Sequence, residues 1–260
     1  MLETSIVNVF RWCEPNDNFQ AAGAAFGSTG RIFTAFEGAR GEVVEPSYGI
    51  WAIDEASEVR LTLGGTLVLL LAKGRATVRV EGKDTVELET GGVVTLRDGL
   101  TVHIAIVEPA EFLWGWNDAL QSEGGENELR PGTWEGTPDM FRLDILHGRR
   151  IGMIRSTDVA LDAGKFVFVA GEWVTQPWAK IIDYVNPGVE MHVVLAGSVT
   201  VASPDLSEAV HVPAGSAVIL KRAQTSTWII NEDDSRTFFM LSGMNAADAP
   251  SQELNEDEEE

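Results

Sequence analysis

Apolar and polar positions alternate along this chain in short runs that glycines interrupt. Glu58-Val-Arg-Leu-Thr-Leu63 and Ala76-Thr-Val-Arg-Val80 keep a period of two, which places alternate side chains on opposite faces of a strand. Arg31–Phe36, Tyr48–Ile53, Thr85–Leu88, Val93–Leu96, Val102–Val107 and Glu111–Trp116 extend this set with Val, Ile, Thr and aromatic residues. Ile6–Phe10 is a short strand candidate, and Gly23–Gly30 is a Gly/Ala/Ser-rich loop. Thr66–Leu71 and Ala76–Val80 flank Gly74, and Thr85–Leu88 and Val93–Leu96 flank Gly91-Gly92. Helical periodicity of any length is absent. Short strands at even spacing with glycine between them predict an all-β barrel or sandwich.

The second half has the same grammar. Glu190-Met-His-Val-Val-Leu-Ala-Gly197-Ser-Val-Thr-Val201 reads as a strand, a tight glycine turn and a returning strand. Gly215 follows Val201 by fourteen positions in Pro213-Ala-Gly215, and Ser216-Ala-Val-Ile-Leu220 is the next strand. The halves also answer each other. Gly41-Glu42 and Pro46 match Gly171-Glu172 and Pro177, and Ile53-Asp54 matches Ile182-Asp183. Leu71-Ala-Lys-Gly74 matches Leu195-Ala-Gly197. Gly91 to Arg97 and Gly215 to Lys221 are both six positions, and six more lead to His103 and Thr227. This predicts a duplicated barrel. Between the copies, Asn117–Gly132 is polar and Gly/Glu-rich and reads as a linker.

Charge narrows the partners. The 260 residues carry 19 basic and 40 acidic side chains, a net −21. Six of the acids close the chain at Glu253 and Glu256–Glu260, and without them the balance is still −15. Such a charge argues against nucleic acid and against an anionic membrane surface as partners. The single cysteine, Cys13, allows no intrachain disulfide and suits a reducing, cytoplasmic setting. The first ten residues lack the basic and apolar regions of a signal peptide. Thr66–Ala72, the most apolar window, has the length of a strand and falls far short of the ~18 apolar residues of a membrane helix.

Several of these features resemble the cupins. Their first motif ends in Glu, with a Gly between two strands seven positions later, as Glu190 and Gly197 stand here. Their second motif begins Pro/Ala-Gly-Asp, continues through a strand to Pro-x-Gly, and ends at a His. Pro213-Ala-Gly215-Ser216 and the strand agree, whereas Lys221-Arg222-Ala223 replaces Pro-x-Gly. A cupin subgroup related to ethanolamine-utilisation and ureidoglycine-processing proteins carries Gly-x-Trp before the first barrel strand and a Trp at the second-motif His. Gly171-Glu-Trp173 and Thr227-Trp228 look like that subgroup. The resemblance covers 165–243 directly and 40–116 through the repeat. It implies two tandem jelly-roll barrels: 1–125 as a degenerate barrel with an N-terminal arm and 126–245 as the second barrel; 246–260, with six acids and Leu254 its one apolar residue besides Ala and Pro, reads as a disordered acidic tail.

The departures bear on the chemistry. A metal-binding cupin uses His-x-His, Glu and a distant His pointing into the barrel. Tyr184-Val-Asn-Pro-Gly-Val189 has no His where the first two would fall, and Ser226 or Thr227 stands near the place of the last. In the first copy the Glu position falls on Leu67, and only His103 occupies a ligand-like place. One carboxylate or one imidazole holds Fe, Mn or Zn weakly, so no tightly bound metal and no cofactor is expected.

Strand periodicity puts Glu190 and His192 on one face. A carboxylate beside an imidazole orients it, the arrangement of a general base, or simply satisfies a polar interior through one hydrogen bond. Lys180, Tyr184 and Trp228 are candidates to line the same cavity, and Trp173, Trp178 and Trp228 offer an apolar wall. His103 alternates with Thr101 and Ala105 and is a further ligand-binding candidate; His147 reads as a surface residue, and His211 is open to either face. Three functions compete. The first is a bicupin that binds a small organic molecule in its second barrel. The second is a metal-independent acid–base enzyme of the sugar epimerase or isomerase kind, using Glu190 and His192. The third is a metal-dependent hydrolase of the ureidoglycine type or a dioxygenase, which the missing ligands disfavour. A homodimer is expected, because exposed barrel sheets with aromatic edges bury against a copy.

Overall fold

The computed structural model describes residues 7–11, 19–38, 46–82, 84–96, 99–117, 130–133, 142–146, 149–162, 166–175, 178–204, 206, 208–231 and 235–244. Cys13, His147 and the tail from 246 lie outside them. The described chain is almost all strand; its helical content is one 3-10 turn, Ala24–Phe26.

The first half supplies β2 (Gln20–Ala21), β3 (Arg31–Phe36), β4 (Ser47–Ile53), β5 (Ser57–Thr62), β6 (Thr66–Val80), β7 (Thr85–Glu89), β8 (Gly92–Leu96) and β9 (Thr101–Asn117). With β10 (Arg130–Thr133) they form one antiparallel sheet in the order β10-β8-β6-β9-β4-β3-β2, with β5 on β9 and β7 on β6. The long strands β6 and β9 turn the corner that folds this sheet on itself. Their register slips between Leu71 and Ala76, around Gly74. Gly74 has φ 92°, and a Cβ there would lie 2.3 Å from the Pro109 carbonyl oxygen, so the close crossing requires glycine. The sequence reading placed separate strands on either side of Gly74 and on either side of Pro109; the chain instead continues through both as bent single strands.

The interior of this folded sheet is apolar. Trp51, Ile53, Leu61, Leu67, Leu69, Leu71, Val78, Ile104 and Phe112 belong to one buried cluster. The alternate residues of the same strands, among them Tyr48, Ile50, Val68, Leu70 and Leu113, belong to another. β6 is therefore buried on both faces over its first part, which is why Thr66–Ala72 reads as a continuous apolar run rather than an alternating one.

The second half contributes β11 (Arg142–Leu146), β12 (Arg149–Asp162), β13 (Phe166–Thr175), β14 (Lys180–Val185), β15 (Val189–Ala196), β16 (Ser198–Ala202), β17 (Val210–Pro213), β18 (Ser216–Leu220), β19 (Thr225–Ile230) and β20 (Arg236–Met244). A seven-stranded sheet runs β1-β18-β15-β20-β13-β12-β11, where β1 is Val7–Arg11, and a four-stranded sheet runs β14-β19-β16-β17. Trp173, Ile181, Val194, Val199, Val201, Val218, Leu220, Trp228 and Phe239 pack between the two. Edge strands are exchanged: β1, from the start of the chain, pairs with β18, and β10 pairs with β8. The polar stretch read as a linker thus ends on a strand of the first half's sheet.

The two halves meet through their large sheets. Val68, Leu70, Val93 and Leu113 from the first pack with Val189, Met191, Val193, Ala217, Phe238 and Met240 from the second. Tyr48, fully buried there, brings its hydroxyl 2.9 Å from the Val189 carbonyl and 3.1 Å from the Met240 carbonyl. Tyr48→Phe removes that donor without changing the packing. It should lower stability by about 1 kcal/mol, a shift of roughly 2–4 °C in Tm by calorimetry. An unchanged Tm would mean that both carbonyls are satisfied elsewhere.

Candidate functional site

The site is built on β15. Val189, Met191 and Val193 face the first half, and the alternate residues Glu190, His192 and Val194 face the interior of the second. Two turns set this register. Gly197 takes φ 69°, and a Cβ on it would sit 2.9 Å from the Cα of Ser235. The Ala214 amide donates to the Gly197 carbonyl and the Gly215 amide to the Val194 carbonyl, each at 3.0 Å, which ties the end of β15 to the turn before β18.

The ladders arrange the inward residues in rungs. Leu241, Glu190 and Leu220 lie side by side, as do Phe239, His192 and Val218; in the next rung Trp173 is beside Thr237 and Thr237 beside Val194. Glu190 thus has a leucine on each side and finds its polar partner along its own strand. His192 Nε2 lies 2.8 Å from Glu190 Oε1, so Nε2–H donates to the carboxylate. Both residues are buried, at 5% and 6% exposure.

Aromatic rings enclose the imidazole. Trp228 is 4.6 Å away between ring centroids, Phe239 5.8 Å and Trp173 6.1 Å. Trp173 and Trp228 meet edge to face at 6.3 Å. The Trp228 indole donates to Ser226 Oγ at 3.1 Å, which satisfies it. Other groups are not satisfied. Glu190 Oε2, His192 Nδ1, Trp173 Nε1 and Thr237 Oγ1 are buried without a hydrogen-bond partner. Buried polar atoms are normally paired, and each orphan costs about 1–3 kcal/mol. Four such atoms share one interior surface.

The structure brings together five of the seven residues singled out from sequence. Glu190, His192, Trp173 and Trp228 line the interior, and Tyr184 packs at its edge beside Ser226. Two expectations are corrected. Lys180 pairs with Ile229, which alternates with the inward Trp228 and Ile230, and the lysine is exposed on the outer face. His103 alternates with the buried Val102 and Ile104 and pairs with Arg60 and Arg79, so it lies on the outside of the first barrel rather than in a pocket. His211 is exposed, and Trp178 stands outside the cluster at 71% exposure. Phe239 and Thr237 were missed; they sit in Arg236-Thr-Phe-Phe-Met-Leu241, whose composition announces core and nothing else. Glu172 of the Gly171-Glu-Trp173 motif faces away from this interior, where Arg236 Nε donates to its Oε1 at 2.6 Å.

The donor set does not fit a tightly held transition metal. Glu190 and His192 are two ligands where three or four are needed, and the neighbouring rungs offer Leu, Val, Phe, Trp and Thr. Among the described residues no group of three or more His, Cys, Asp or Glu could hold a metal ion.

No protein-family model matches the chain, and no curated protein matches it. Solved structures do. A Pseudomonas syringae pv. tomato protein of unknown function from the DUF861 family superposes with TM-score 0.67 at 18% identity, covering 90% of this chain and 98% of that one. The putative glyoxylate-induced protein of Pseudomonas aeruginosa gives 0.68 at 12% identity, over 92% and 90%. A cupin 2 conserved barrel domain protein from Leptotrichia buccalis gives 0.54 at 11% identity, over 79% and 91%. The chain has the cupin fold. At these identities the likeness speaks to fold and leaves function to the residues of the site.

Proposed function

We propose that this cupin-fold chain binds a small organic molecule inside its second barrel, on Glu190 and His192, without a tightly bound metal. The observation that carries this reading is the buried pair itself. Glu190 and His192 satisfy each other through one hydrogen bond and leave Oε2 and Nδ1 unpaired within an aromatic enclosure. Apolar walls with a few convergent polar atoms are the usual make-up of a small-molecule site. The division into units of 1–125 and 126–245 belongs to the same proposal, supported by a separate apolar interior in each half. So does a cytoplasmic setting, for which the single Cys13 speaks; no helix among the described residues is long and apolar enough to cross a membrane.

A second reading follows from which nitrogen is free. Because Nε2 is committed to the carboxylate, Nδ1 is the atom that would take a proton from a bound molecule, and Glu190 would hold the ring in place while it did so. This is the metal-independent acid–base enzyme, acting on a carbon or heteroatom acid such as a sugar. A ureidoglycine-type hydrolase would need the metal ligands that are absent from these strands.

A thermal-shift panel of small carboxylic acids, amines, amides and sugars tests the proposal, run on the wild-type chain and on Glu190→Gln/His192→Gln. A ligand at 100 times its Kd stabilises by about 2.7 kcal/mol, readily seen in Tm. Compounds should stabilise the wild type and lose the effect on the double variant. Equal shifts on both proteins would place binding elsewhere. Turnover of a hit that survives Glu190→Gln but not His192→Gln would favour the acid–base reading, with the imidazole as the base.

A further inference from the structure

The turns β14–β15 and β18–β19 close the same end of the second barrel. β18 stops at Leu220, which lies beside Glu190, so this is the end at which Glu190 stands. The Asn186 amide donates to the Gln224 carbonyl at 3.0 Å and the Ala223 amide to the Asn186 carbonyl at 2.8 Å, which ties the two turns together. Pro187 favours an extended Asn186, so the alternation of β14 runs on into its turn. Val185, 57% exposed, and half-buried Thr225 alternate with Asn186 at 1% and Gln224 at 5%, which are buried as Ser226 and Trp228 are. Asn186 and Gln224 thus stand on the small sheet's side of the interior, and Glu190 and His192 on the large sheet's side.

The hydrogen bonds left open here have a definite polarity. Gln224 Oε1 accepts from the Lys221 amide at 3.1 Å, which leaves the Nε2 hydrogens unpaired. Asn186 Oδ1 and Nδ2 are both buried without a partner. Glu190 Oε2 and His192 Nδ1 are open as well, and with Nε2–H given to Glu190 both are acceptors. Among the described residues no Lys or Arg atom is one of the buried unpaired atoms. An anion would therefore be desolvated beside the Glu190 carboxylate with no cation to meet it.

We infer that the second barrel selects a neutral carboxamide over the corresponding carboxylate, and that Asn186 reads it through two paired hydrogen bonds. The inference rests on the reading of Glu190 and His192 as a binding site. An amide presents an acceptor and a donor side by side in one plane, and the Asn186 side chain presents the complement. The ligand carbonyl accepts from Asn186 Nδ2 and Gln224 Nε2. One ligand N–H donates to Asn186 Oδ1, and the second N–H of a primary amide donates to Glu190 Oε2. A carboxylate has no hydrogen for either oxygen, and a hydroxyl has one, so each leaves a buried acceptor unpaired.

Isothermal titration calorimetry on the full chain at neutral pH tests this with matched probes: acetamide against acetate, and benzamide against benzoate and benzyl alcohol. At least one amide should bind on the order of 100-fold more tightly than its acid. Asn186→Leu keeps the side chain's size and gives up no bond to protein, and it should weaken that amide about 10- to 30-fold. The matched probes judge the class on the wild type alone, so the inference stays refutable if Asn186→Leu does not fold. An acid or the alcohol binding as tightly as its amide overturns the inference, as does an amide that binds Asn186→Leu like the wild type. Both results leave the binding reading standing if Glu190→Gln/His192→Gln abolishes the heat. Amide binding that this double variant retains overturns the reading on which the inference rests, and silence from every probe overturns the two together.

Discussion

His192→Leu should destabilise the folded chain by about 3–5 kcal/mol, while Glu190→Leu/His192→Leu should be neutral or more stable than the wild type. The single change strands a carboxylate. Glu190 sits between Leu220 and Leu241, is 5% exposed, and takes its hydrogen bond from His192 Nε2. With leucine at 192, neither oxygen keeps a protein donor. The double change removes the charge together with its partner and extends the apolar rungs already formed by Phe239, Val218 and the two leucines. It also abolishes two of the four orphaned polar atoms. Urea unfolding at neutral pH measures both. The sign of the double variant matters most. A gain in stability would mean that this pair is kept at a cost to the fold, as a working site is. If the double variant falls as far as the single, the pair is a structural element of the barrel, and the binding proposal loses its main support.

Gly49→Ala should cost roughly 3 kcal/mol or more, at the severe end of overpacking, and is expected to prevent folding of the first half at 37 °C. Gly49 is on β4 between Thr34 and Trp114 in the ladder. A Cβ there would lie 2.0 Å from the Phe33 carbonyl oxygen and 2.7 Å from Trp114 Cζ2. The oxygen belongs to the adjacent strand and cannot retreat without breaking the β3–β4 pairing. The indole is wedged against Phe26, 5.2 Å away between centroids, and cannot turn aside cheaply. Gly64→Ala is the matched control, since a Cβ there meets nothing within 4 Å and its φ is ordinary. It should shift the urea midpoint by little. Comparable effects at both positions would show that the collision at Gly49 is relieved by small shifts and does not set its cost.

Local chemistry is what the amino-acid order determined by itself. A period of two is a local property, so the strands and the all-β class were legible, and so was the shared face of Glu190 and His192, two positions apart. The glycine turns were legible for the same reason: Gly197 and Gly215 each take a left-handed φ that side chains resist, whereas Gly74, also left-handed, bends a continuous strand. Tertiary structure decided what depends on residues distant in the chain. Lys180 and Glu190 are ten positions apart, close enough in sequence to suggest a pair, yet the ladder of β14 on β19 turns the lysine outward. His103 carried a ligand-like spacing, but the apolar interior of the first barrel claims its neighbours Val102 and Ile104 and leaves the imidazole outside. Nothing local tells β1 to leave its own half and pair with β18, because an edge strand's partner is chosen by which sheet has a free edge within reach. The enclosure of His192 is the clearest case. Trp173, Trp228 and Phe239 come from three strands spread over 67 positions, and only the packing of one sheet on another makes them a single wall around the imidazole.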